Sequence, residues 1–244
     1  MALFAVALII VSTTRAEPPE ATAAPPLPYR QLARAAPIAV LGCALSGLIS
    51  GAFYALVPAW MQEKGIERPT IGLSMVVAVL GGLAFQVPVG RLSDRFDRRL
   101  VLVAIGAGLA ASAIALIHLP AFFPLILLAS AMIGGFMSTI YPVSVAHAHD
   151  RMPADRVVVV SSRLILLYGL GSIIGPLFGE GLMERFEIDG VLYLMAASAA
   201  LLAVLAAARS LTVPSPPHLE RPFEILAPQA TPIAHDPLGA SAKL

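Results

Sequence analysis

Residues 100–149 run for fifty positions without one Asp, Glu, Lys or Arg. A water-soluble domain spends about 25% of its residues on charge to cover its surface. Here the whole chain is 13% charged and 58% hydrophobic, with a mean hydropathy of +0.83. Such a chain has too little polar surface for water and belongs in a bilayer. One membrane crossing needs about 20 residues, so the run is too long for one span and right for two. Pro120 and Pro124 supply the turn between them. A second uncharged run covers 69–89. Between the two runs lies 90–99, GRLSDRFDRR, with six charged residues in ten. The reading is a short aqueous loop between two membrane helices.

The rest of the chain falls into place around that loop. Six spans are predicted, at about 36–61, 70–89, 100–118, 123–146, 157–182 and 190–208. Thr70, just after Pro69, suits a helix cap. Residues 1–12 are apolar but too short to cross alone. They fit either a signal peptide, weakened by the lack of a positive start, or the end of a truncated helix. Residues 13–34 are rich in Pro, Ala and Arg and read as an extended linker without helix. Residues 35–209 are the six-helix unit, and the proline-rich 210–244 reads as a disordered tail.

Charge sets the orientation. Alternating the aqueous segments places 13 of the 16 Lys and Arg on one side, with Arg163 counted there because it can snorkel. Only Lys64, Arg68 and Arg185 fall on the other side. The positive-inside bias puts the first side, with 13–34, 90–99, 147–156 and the tail, in the cytoplasm of a multi-pass protein of the plasma (inner) membrane. It also makes 1–12 a descending helix, which favours the truncated-span reading.

Several residues stand out within the spans. Cys43, Gly47, Ser50 and Tyr54 fall at i, i+4, i+7 and i+11, one helix face. Small residues there suit close packing; the alternative is that the hydroxyls line a cavity, towards which Tyr54 leans. The fourth span carries Ser138, Thr139, Tyr141 and Pro142, and the second ends with Gln86 and Pro88. The fifth is dense in glycine. Glu180 in that span is a candidate for coupling, together with Arg163, because acids and bases inside spans are costly. Cys43 is a lone cysteine, so no intrachain disulfide forms. No Cys/His cluster has ligand spacing, and His147 and His149 read as interfacial. No metal, cofactor or nucleic-acid partner is expected. No span assembles a nucleophile, base and acid, which argues against an enzyme.

The segment Gly90, Arg91, Leu92, Ser93, Asp94, Arg95, Phe96, Asp97, Arg98, Arg99 resembles the loop signature of the major facilitator superfamily. That signature joins the second and third helices of a six-helix half, as it does here. Gly171, Gly175, Pro176 and Gly179 resemble the superfamily's Gly-Pro signature in the fifth helix. The runs around Tyr141-Pro142-Val143 and Leu167–Pro176 are similar to its YcaD-like branch. The fourth span lacks the arginine usual in an N-terminal half, so the resemblance implies the C-terminal half of a twelve-helix fold. It covers about 36–208.

The resemblance implies more. Gly90, Asp94, Arg95, Arg98 and Arg99 would form a cytoplasmic latch against the opposite half. The blander alternative makes them topology determinants only. Asp97 stands where the signature has glycine, and could compete for Arg98 or Arg99. The first and fourth helices would line a substrate path, which selects Ser50, Tyr54, Ser138, Thr139 and Tyr141, with Gln86 a further candidate. The expected function is alternating-access transport of a small solute, in lipid, with an N-terminal half absent from this chain. The alternative is a non-transporting membrane subunit or a remnant.

Overall fold

A computed structural model describes residues 28–120, 122–153 and 156–212. The expectations for 1–12, for most of 13–34 and for the tail beyond 212 lie outside the described residues. The described chain is helical, with a short α1 (Tyr29–Ala35) and six long helices. These are α2 (Pro37–Glu63), α3 (Arg68–Arg95), α4 (Arg98–His118), α5 (Phe123–His149), α6 (Val157–Arg185) and α7 (Gly190–Thr212). Each of the six is long and apolar enough to cross a membrane.

Helix starts follow local chemistry. Pro37, Pro69 and Pro124 sit in the first turns of α2, α3 and α5, where a missing N–H is harmless and φ is already helical. Glu67, not Thr70, is the N-cap residue of α3. Pro69 already lies inside the first turn, so the helix begins before Thr70. Gly65 turns the chain between α2 and α3 at φ +77°.

Two sequence expectations are corrected. The linker is not wholly extended, because its end forms α1. Pro28 is its N-cap residue, and the stretch that follows, YRQLARA, contains no proline. The 90–99 segment is mostly helix rather than loop: α3 runs on to Arg95 and α4 starts at Arg98, leaving Phe96 and Asp97 between them. Charge does not end a helix at the membrane surface, since its own backbone bonds continue and the side chains reach water. For the same reason α5 continues through His147 and His149, and α7 reaches Thr212.

Neighbouring helices pair by touch. α6 packs on α2, α2 on α5, and α5 on α3, while α4 and α7 pack on each other and against α5 and α2. The α2–α6 seam is made of interlocked glycines. A Cβ on Gly47 would strike the Tyr168 carbonyl, and one on Gly51 the Ser172 carbonyl. In return, Cβ atoms on Gly171 and Gly175 would strike the carbonyls of Ala44 and Leu48. On the α3–α5 seam, Gly81 meets the Ala131 carbonyl and Gly134 the Ala78 carbonyl. Lipid gives helices no hydrophobic reason to associate, so close backbone approach supplies the dispersion energy instead. Behind these seams, Leu102, Ile105 and Leu109 of α4 join Leu192, Met195 and Leu202 of α7 in the core.

Large apolar side chains remain on the outside. Ile173 is 66% exposed, Leu177 65% and Val204 65%. On a soluble protein such surface would drive association. Here it lies on helices long and apolar enough to cross a membrane.

The end of the bundle opposite the 90–99 segment is tied by Asp189, just before α7. Its carboxylate accepts from Trp60 Nε1 at 2.7 Å and pairs with Lys64 Nζ at 2.8 Å. Burial pushes that carboxyl up, but the bonds from Lys64 and Trp60 outweigh it and hold it below the usual carboxylate range. A carboxylate held low in the folded state adds stability above its unfolded pKa, about 3.9. That stability is lost as pH falls through the folded value. Asp189→Asn is expected to cost about 1 kcal/mol near neutral pH. The gap to the parent should shrink as the pH falls below about 3.9 and close only at a pH well below the usual carboxylate range, where the folded carboxyl is protonated too. Thermal melts across that pH range read this directly.

Candidate functional site

The functional candidates lie on α2, α3, α5 and α6. The expected path residues do not share one environment. Tyr54 is half-exposed on α2, while Ser50 is buried beneath the same face. Tyr141 of α5 and Tyr168 of α6 meet ring edge to face, with centroids 5.1 Å apart. This ring pair bridges α5 and α6, and the Tyr168 carbonyl lies against Gly47 of α2. Sequence reasoning missed Tyr168 as a site residue. Its register signals it, because Leu164, Tyr168, Gly171 and Gly175 fall at i, i+4, i+7 and i+11, on the helix face that meets α2.

Ser138 and Thr139 are less available than their residue types suggest. Ser138 Oγ donates to the Gly135 carbonyl at 3.1 Å, and Thr139 Oγ1 to the Phe136 carbonyl at 2.8 Å. Each spends its proton on its own helix and can only accept from a ligand. Gln86 is exposed and keeps an amide head on the surface.

Gln86 and Thr139 open into a cavity of about 390 Å³ between α3 and α5. Gly90, Ser93, Asp94, Arg98 and Pro142 also line it. Its size lies within the ~300–1,000 Å³ of clefts that take small ligands. Path candidates and the charged motif, separate in the sequence reading, therefore share one hollow. A Cβ added at Gly90 would meet nothing within 4 Å, so that position stays open.

The charged motif divides its partners. Arg98 Nε donates to Asp150 Oδ2 at 2.6 Å and its Nη1 to Ser93 Oγ at 3.2 Å, while Asp94 lies 3.7 Å from Nη2. Asp94 is the loosely held acid, with 73% of its side chain exposed. Asp97 does not compete for Arg98. It takes Arg99, whose Nη2 donates to Oδ2 at 2.6 Å and whose Nε donates at 3.1 Å. Asp97 also caps α4, accepting the Arg99 backbone N–H at 2.9 Å. Arg99 is 2% exposed, and its Nη1 donates to the Arg209 carbonyl of α7 at 2.8 Å. Arg95 is exposed beside them.

The remaining candidates scatter. Gly171, Gly175 and Gly179 form the buried stripe of α6, against α2, while Pro176 is half-buried within the helix. Arg163 stacks over the Tyr29 ring at 4.5 Å and so holds α1, rather than only reaching for water. Glu180 is exposed on the same helix, seventeen residues further on, about 25 Å away at the helical rise. The structure does not bring Arg163 and Glu180 together. His149 Nε2 meets Ser161 Oγ at 3.0 Å across α5 and α6. Among the described residues no group of three His, Cys, Asp or Glu side chains is placed to hold a metal.

The family model of the Major Facilitator Superfamily matches residues 1–238. The chain belongs to the major facilitator superfamily. Its curated relatives include an uncharacterised MFS-type transporter, YcaD, of Shigella flexneri serotype 5b (strain 8401), 36% identical over 172 residues. The YcaD of Escherichia coli (strain K12 / DH10B) is likewise 36% identical over 172 residues. In both, the alignment covers 70% of this chain and 44% of the relative. The chain thus spans less than half the length of the relatives it matches. The superfamily match and the six-helix unit agree with a YcaD-like membrane protein.

Proposed function

We propose that the chain is the C-terminal half of a major facilitator transporter. It moves a small neutral or amphipathic solute by alternating access against a second six-helix half. The observation that carries this reading is the cavity of about 390 Å³ under Gln86, which joins Thr139 of α5 to Asp94 and Arg98 of the charged motif, together with the Tyr141–Tyr168 ring pair of α5 and α6. Polar surface inside a membrane protein is costly unless it lines a path or meets protein. One six-helix wall cannot shield a polar cargo from lipid, whereas two halves rocking about a central site can. Aromatic faces with hydroxyl and amide heads suit a solute with apolar area and a few hydrogen-bonding groups. The superfamily match points the same way, to transport rather than catalysis.

The arginine-rich end faces the cytoplasm in this proposal. Asp94 is its moving part. Asp97 and Asp150 already hold Arg99 and Arg98, which leaves Asp94 exposed and weakly paired, next to the open spot at Gly90. A side chain so placed can pair with the opposite half in one state and release it in the other.

Vesicles test the function. Uptake is expected when this chain is present with a six-helix N-terminal half and not when it is present alone; uptake by the chain alone overturns the two-half reading. In the paired assembly, Asp94→Asn is expected to slow uptake about tenfold, within the usual size of a coupling between states. Unchanged uptake at normal expression removes the latch.

A further inference from the structure

The end of the bundle that carries the 90–99 segment holds a second cavity, of about 150 Å³. Arg34, Arg99, His147, Arg151 and Arg209 converge on it from α1, α4, α5, the turn after α5, and α7. Ala35, Pro37 and Ile38 also line it, and no acid among the described residues does. Among the described residues, the acids that act on Arg151 are Asp97 and Asp150. Both are committed elsewhere, to Arg99 and to Arg98, at 2.6 Å each.

This is an unbalanced hollow. Arg151 Nε is buried with no hydrogen-bond partner among the described residues. A buried donor of a charged group left without an acceptor is costly. Burial and the neighbouring Arg99 charge both disfavour the Arg151 cation. The α2 start lacks a side-chain cap, so its positive end adds to the field. An acceptor-rich anion relieves all of these at once, and guanidinium forks match phosphate oxygens in pairs.

We infer that this pocket binds a phosphate group, supplied by a phospholipid headgroup or by free phosphate. The cavity is several times the ~30 Å³ share of a liquid water and well below the ~300 Å³ of a cleft for a larger ligand. One phosphate fits it, and a nucleotide does not. It lies where α2 and α4 begin and α5 and α7 end, the depth at which headgroups meet a spanning bundle. Basic pockets between helix ends are the expected receptors for such groups. The site is separate from the hollow under Gln86, and its occupancy does not depend on any cargo.

The test uses the full chain, purified in a zwitterionic detergent. In one arm, inorganic phosphate is titrated against thermal stability. In the other, the chain is placed in phosphatidylcholine nanodiscs with and without phosphatidylglycerol, and retained phosphatidylglycerol is counted by native mass spectrometry. Arg151→Gln is expected to weaken binding about tenfold or more, the loss of one charge-assisted bond. Without phosphate or phosphatidylglycerol, the same variant should melt no lower than the parent, because it removes like-charge repulsion. Arg34→Gln, at an exposed position, gives a second reading if the first variant folds poorly. Arg91→Gln, exposed and outside the pocket, should bind as the parent does. Retention of phosphatidylglycerol supports the headgroup, and stabilisation by phosphate alone supports the free anion. Absence of both overturns the site, as does equal weakening by Arg91→Gln.

Discussion

Replacing Asp97 with glycine is expected to unfold this end of the bundle. Glycine is the residue of the signature that 90–99 resembles, so the change moves the sequence towards its family. The contacts point the other way. Asp97 holds the guanidinium of Arg99 through both carboxylate oxygens, and Arg99 is 2% exposed. Removing one partner of a buried ion pair costs about 3–5 kcal/mol. The lost cap on α4 adds about 1 kcal/mol. Asp97→Asn should fall between, because the amide oxygen can still accept the Arg99 backbone N–H while the charge is gone. Reversible unfolding in mixed detergent and denaturing micelles measures all three forms. A loss below about 1 kcal/mol for Asp97→Gly would show that the pair does not hold the turn.

The second large effect is expected on the glycine seam. A Cβ at Gly171 has nowhere to go, since the Ala44 carbonyl and the Leu48 backbone nitrogen occupy its place. Backbone cannot rotate aside as a side chain can, so α2 and α6 must separate. Gly171→Ala is expected to cost about 1–3 kcal/mol, the usual range for overpacking, and Gly171→Val to lose the folded form. Gly169, two residues away, is the control, because a Cβ there meets nothing within 4 Å. Gly169→Ala should stabilise by up to about 1 kcal/mol through helix propensity alone. The same unfolding assay separates the two. Equal effects at 169 and 171 would dismiss the seam as the source of α2–α6 cohesion.

These contrasts show how far the residues could be read in advance. The six long helices were legible because an apolar run of about 20 residues has few other fates. Their ends were not, because Arg91, Asp94 and Arg95 continue a helix as readily as they end one. The linker reading averaged its prolines over 13–34 and so passed over the proline-free YRQLARA that forms α1. Within the site, the face carrying Tyr54 could be drawn from helical spacing alone. The pairing of Arg98 with Asp150 could not, since they lie 52 residues apart and nothing local links them. Ser138 and Thr139 kept their expected helix, yet their hydroxyls turned to carbonyls of that same helix, a choice that depends on rotamer rather than on residue type.

Arg99 also reaches across to α7, where it holds the carbonyl of Arg209 three residues before Thr212 ends the helix. The last turn of the sixth span is therefore hitched to the turn between the second and third. A fluorophore attached at Thr212 would sit at the far end of that hitch, outside the hollow under Gln86. It would report displacement of the 96–97 turn without occupying that hollow, giving a remote gauge of movement at this end of the bundle.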